Sequence, residues 1–147
     1  MKIATKILFL GLIFSISCNK SSHHESHEQD ETPNPNQALY EEVMAVHDDV
    51  MPKADEIYKL KKELQDKIAK TPDLIGDKKK QLDQIIAELD SADHSMMDWM
   101  HKFNPLPDSA NQETAREYLE NEMEKIKKVR ELINGSIQKA KDEVGKK

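Results

Sequence analysis

Residues 94–101, HSMMDWMH, hold three methionines, a tryptophan and two histidines in a chain otherwise rich in lysine and glutamate. A second such group, MAVHDDVM at residues 44–51, spaces Met44, His47 and Met51 by three and four positions. Thioether sulfur and imidazole nitrogen together suit a soft ion such as Cu(I). Zinc fits less well, because it favours thiolate, imidazole and carboxylate. Haem with histidine and methionine axial ligands would need a porphyrin pocket, and the chain has 5% aromatic residues and no C-x-x-C-H attachment motif. The expected ligands are therefore Met44, His47, Met51, His94, Met97 and His101, three or four of which suffice, with support from Asp93, Met96 and Met100. A second reading stands beside this one. Methionine fills irregular core space and packs well on aromatic rings, and a buried histidine is commonly satisfied by a carboxylate, here Asp93 for His47. On that reading the clusters are core packing, and the protein is a helical scaffold or interaction module.

Helices must position these side chains. Charged residues make up 34% of the chain, glycines number four, and apolar residues recur at spacings of three and four, the signature of amphipathic helices. Three segments emerge, at about residues 37–70, 77–103 and 110–144. The first carries a stripe of Leu39, Val43, Val46, Val50, Ile57, Leu60, Leu64 and Ile68, with a kink expected at Pro52, which lacks a backbone N–H. TPDLIGD separates it from the second segment. NPLPDS ends the second, with Asp108 or Ser109 available to cap the third. Gly135 lowers helix propensity without ending that helix. Short connections predict an all-α, antiparallel, up-down-up three-helix bundle, each arm about 40–55 Å long, either self-sufficient or half of a dimer.

At about 100° per residue, His47 falls within the buried arc of the first helix, with Met44 and Met51 beside it. Met96, Met100 and Asp93 fall within the buried arc of the second. His94, Met97 and His101 form a ridge at its edge, and Trp99 lies on the opposite edge. An antiparallel hairpin sets Pro52 opposite about residue 95, so Met51 and His47 are expected to face Met96, Met97 and Met100. Five of the six methionines beyond residue 17 then share one level, Met123 being the exception.

The chain's formal charge of −6 argues against nucleic acid as a partner. Lys2 and Lys6 precede an apolar run at residues 7–14, then small residues and Cys18. This is the anatomy of a secretory signal rather than a membrane span. A cysteine there is similar to a lipobox, with Ser15 where leucine is usual. Cys18 is the single cysteine, so no intrachain disulfide can form. Loss of residues 1–17 removes two lysines and moves the charge from −6 to −8. Residues 18–36, with His23, His24, His27, Pro33 and Pro35, read as a polar tether below a lipid anchor bearing acyl chains such as palmitate. The expected location is the outer membrane, on its periplasmic side. In an oxidising compartment thiols form disulfides, whereas thioethers do not.

VMAVHDDVMPKADEI (43–57) and ADHSMMDWMHKF (92–103), behind a signal and a lipid-type cysteine, resemble small envelope lipoproteins of Bacteroidota that carry the automated name "viral A-type inclusion protein". The resemblance spans about residues 38–140. It implies a helical lipoprotein and assigns no activity or catalytic residue. The sequence shows no nucleophile–base pair and no glycine-rich phosphate loop, so the expected protein is not an enzyme. Its expected partners are the membrane, through the anchor, and an envelope protein or a second copy of the chain.

If Cys18 carries the anchor, Cys18→Ser leaves the protein unprocessed or releases it from the membrane fraction. Fractionation and intact-mass measurement check this, and unchanged maturation with unchanged membrane association would refute the anchor.

Overall fold

The computed structural model describes residues 34–73 and 75–146. The expected signal peptide, Cys18 and the three tether histidines lie outside the described residues. The described chain is helical, with α1 at Gln37–Val50, a 3-10 turn at Met51–Lys53, α2 at Ala54–Lys70, α3 at Gly76–Lys102 and α4 at Gln112–Val144. No strand occurs among the described residues. None of the described helices is long and apolar enough to cross a membrane.

The kink expected at Pro52 is the 3-10 turn. The missing N–H removes one i→i−4 bond, the backbone tightens for three residues, and the α-helix resumes at Ala54. At the start of α4, the cap is Asn111 rather than Asp108 or Ser109: its side chain accepts from the Thr114 N–H at 3.1 Å. The reason is local. The Ala110 N–H bonds the Pro107 carbonyl at 2.9 Å, so Asp108 and Ser109 belong to a preceding turn and the helix begins later. Gly135 lies inside α4 without interrupting it.

A single core joins the three arms: Val43, Val50, Ile57, Leu60 and Leu64 from the first, Leu82, Ile85, Leu89 and Met96 from the second, and Ile126, Ile133 and Ile137 from the third. Each such aliphatic side chain contributes about 1.5–3 kcal/mol on burial. Partners across the helices fix their order. Tyr40, His47 and Lys61 meet Phe103, Trp99 and Asp90, in descending sequence. Asn36, Lys53 and Glu56 meet Gln112, Asn134 and Lys141, in ascending sequence. Hence α3 runs against the α1–α2 arm, and α4 runs with it.

The bundle begins earlier than residue 37. Asn36 is only 6% exposed, and its Nδ2 donates to the Gln112 carbonyl at 2.9 Å and to Gln112 Oε1 at 3.0 Å. Asn34 Nδ2 donates to Asp108 Oδ1 at 2.6 Å. Residues 34–36, assigned to the tether by composition, thus close one end of the bundle, because a buried amide with its donors satisfied is held in place.

The other end is closed by Glu143, 1% exposed. Its Oε1 pairs with Lys78 of α3 and with Lys67 of α2 at 3.8 Å, and its Oε2 accepts from Lys146 at 3.2 Å. Lys67 also donates to the main-chain carbonyls of Glu143 and Lys146, both at 2.9 Å. The Lys78 ammonium, aided by Lys146, holds the Glu143 carboxyl below the usual carboxylate range despite its burial. A folded pKa below the unfolded value means stability that is full above the unfolded pKa, about 4.3, and lost as pH falls through the folded one. Glu143→Gln is therefore expected to lower stability at pH 7 by about 2 kcal/mol. In urea titrations its deficit against the parent should shrink below pH ~4. A deficit that stays constant down to pH ~3 would show that the carboxylate charge is not its source.

Candidate functional site

The break at Pro52 places Met51 against α3 and α4. There Val50, Met51, Ala54 and Ile57 from the first arm, Asp93, Met96 and Met97 from α3, and Ile133 from α4 line a cavity of about 20 Å³. That volume admits one water-sized body. Met96 is buried at 4% exposure, while Met97 is exposed at 40%. Asp93 is half-buried. Among the described residues, the carboxylate of Asp93 has no hydrogen-bond or ion-pair partner.

Of the residues expected to form a site, the structure brings together Met51 and Met97, with Met96 and Asp93. Met44, His47, Met100, His94 and His101 do not line this cavity. Met44 and Met100 are half-buried, the latter packed on the core, whereas His94 and His101 are exposed on the outer ridge of α3. His47 is half-buried, but its partner is not Asp93. Its Nδ1 lies 2.8 Å from Asp48 Oδ1, and its ring lies 5.9 Å from that of Trp99. The register explains the correction: Trp99 stands opposite His47, while Asp93 falls about two turns away, beside Met51 and Ile57.

Trp99 is likewise not on an edge but buried, at 5% exposure. It stacks on Phe103 at 4.7 Å between ring centroids, and Phe103 in turn meets Tyr40 at 6.2 Å and Tyr118 at 6.3 Å. The Tyr118 hydroxyl accepts from the Asn104 N–H at 2.6 Å. Since α1 packs closely on α4, these rings fill the space that separates α1 from α3. Tyr40, Trp99, Phe103 and Tyr118 are four of the five aromatic residues beyond residue 17, and their position near helix ends was the available signal for such a group.

Glu122 was missed by the sequence reading. It is 3% exposed, and its Oε1 accepts from Lys125 at 2.7 Å. Its Oε2 and the Trp99 Nε1 are both buried without a hydrogen-bond partner. Trp99 lies one helical turn before Phe103, and Glu122 one turn after Tyr118, the two residues whose rings meet at 6.3 Å. A glutamate on the apolar stripe between Leu119 and Ile126 was the sequence signal.

Trp99 is the single tryptophan, so its emission reports on this region alone. Blue-shifted emission is expected in the folded protein, moving to the red on unfolding. Trp99→Ala is expected to cost about 3–5 kcal/mol in urea denaturation. A loss below about 1 kcal/mol would mean that the aromatic group does not join α1 to α3.

Comparisons of the chain with models of known families, with curated proteins and with solved structures return no match.

Proposed function

We propose that this chain is an envelope lipoprotein, anchored through Cys18 to the periplasmic side of the outer membrane, whose up-down-up bundle holds a Cu(I) ion among Met51, Met96 and Met97. One observation carries the metal reading: three methionines and one aspartate line a single ion-sized cavity. Thioethers are neutral, so an ion bound by three of them keeps its positive charge in a largely apolar setting. An uncompensated buried charge is costly, and the Asp93 carboxylate on the cavity wall offsets it. That accounts for an acidic residue in the buried arc of α3. Among the described residues no three His, Cys, Asp or Glu side chains are grouped to hold a metal, and the site read here draws on methionine sulfur instead. The resemblance to Bacteroidota envelope lipoproteins supports the anchor and the compartment, where thioethers are the durable soft ligands.

A second reading has its own support. Tyr58 and Leu132 are 69% and 53% exposed, and Met51 and Met96 also belong with the hydrophobic core. On this reading the protein is a helical interaction module, and the cavity is a packing gap.

Leucine approximates methionine in volume, so Met51→Leu with Met97→Leu is expected to cost less than about 1.5 kcal/mol per site. The same pair should weaken Cu(I) binding on the order of 100-fold, as loss of ligands does. The assay is competition with a chromophoric Cu(I) chelator under reducing conditions. It uses the mature chain with Cys18→Ser, and with His23, His24 and His27 changed to alanine to remove their background. Failure of the parent to take copper from a weak chelator, or binding by the leucine pair equal to the parent's, supports the interaction module instead.

A further inference from the structure

Met97 is the one exposed side chain on the wall of the cavity; the other seven lining residues are buried or half-buried. It therefore belongs to two environments, the interior that it shares with Met51 and Met96 and the solvent-facing ridge of α3. On that ridge His94 lies three residues before it and His101 four residues after it, spacings that make side chains neighbours on a helix. Both histidines are exposed.

His94 is also oriented for binding. Its Nδ1 lies 2.7 Å from the Asp90 carbonyl oxygen. A carbonyl can only accept, so Nδ1 carries a proton, and in the neutral ring Nε2 keeps its lone pair. Metal-binding histidines are commonly fixed by such a bond on the other ring nitrogen. The Asp90 side chain in turn pairs with Lys61 of α2, which holds this turn of α3 against its neighbour.

We infer that His94, Met97 and His101 form the port through which a soft monovalent cation enters, with Met97 carrying it from the ridge to Met51 and Met96. This rests on the copper reading above. Capture begins with imidazole Nε2 and the Met97 sulfur at the surface. Met97 has three rotatable side-chain bonds, so its sulfur moves from ridge to cavity by a rotamer change while α3 stays in place. As each Cu–N bond breaks, a Cu–S bond to Met51 or Met96 forms. Copper stays Cu(I) throughout, and the released imidazole returns to its neutral state, so no oxidant, reductant or proton is needed. Asp93, half-buried among the residues that line the cavity, carries the negative charge that favours the interior position.

The test separates rate from equilibrium. Stopped-flow transfer of Cu(I) from a chromophoric chelator is measured on the full mature chain with Cys18→Ser and the tether histidines removed, beside variants His94→Ala/His101→Ala and Met51→Leu/Met96→Leu. The histidine pair is expected to load about tenfold more slowly with affinity changed less than about threefold, and release should slow by the same factor, because only the barrier has changed. The leucine pair is expected to lose affinity while the early surface capture persists. Loading by the histidine pair at the parental rate overturns the port. So does a loss of affinity in that pair as large as in the leucine pair, because the ridge would then be the resting site. A parent that binds no Cu(I) overturns the copper reading and the port with it, whereas a parent that binds normally beside an unslowed histidine pair overturns the port alone. Circular dichroism checks that both variants remain helical.

Discussion

Pro52 cannot donate a backbone hydrogen bond, and much of the bundle's geometry follows from that one missing N–H. The three residues Met51–Lys53 adopt a 3-10 turn, which advances about 120° per residue instead of about 100°. Over three residues the apolar stripe of α2 is thereby rotated by roughly 60° relative to that of α1. The two halves of the first arm consequently meet different neighbours: α1 packs on α4, while α2 packs on both α3 and α4. A straight helix would carry one stripe past one groove. The broken one opens a space between α1 and α3 and brings Met51 against α3 at the break.

Two kinds of side chain occupy the places this geometry creates. Aromatic rings bridge α1 and α3, where the backbones stand apart: Tyr40, Phe103 and Trp99 form a stacked series that reaches His47. Methionines sit at the break itself, where space is irregular and an unbranched, polarizable side chain adapts best. The same property that suits methionine to an irregular gap makes it a soft ligand. For this reason a packing gap and a metal cavity can have the same lining, and the carboxylate of Asp93 is the feature that packing alone does not account for.

Polar groups close the bundle at both ends. At one, the Asn36 amide bonds Gln112; at the other, three lysines gather around Glu143. Buried charges and amides are costly to desolvate, and their hydrogen bonds and ion pairs do little more than recover that cost. Their larger effect is on register. A slip of α4 by one turn would part Glu143 from Lys67 and Lys78, so the sliding permitted by a uniform aliphatic stripe is penalised.

The helices, their breaks and the apolar stripes were legible in the residues, because helical periodicity and proline chemistry are local properties. So was the approach of Met51 to Met96 and Met97, which needs only an antiparallel hairpin and a count inward from the turn at residues 71–76. What local reasoning could not supply was the rotation of each helix about its axis and the choice of neighbour. Those decided that Trp99 is interior, that His47 turns to Asp48 rather than Asp93, and that Glu122 is buried. They also decided that Asn34 and Asn36 dock on the start of α4, a contact between residues more than seventy positions apart. Such contacts depend on three arms settling together around one core, where each side chain's place is set by the volume and charge of partners that are remote in sequence.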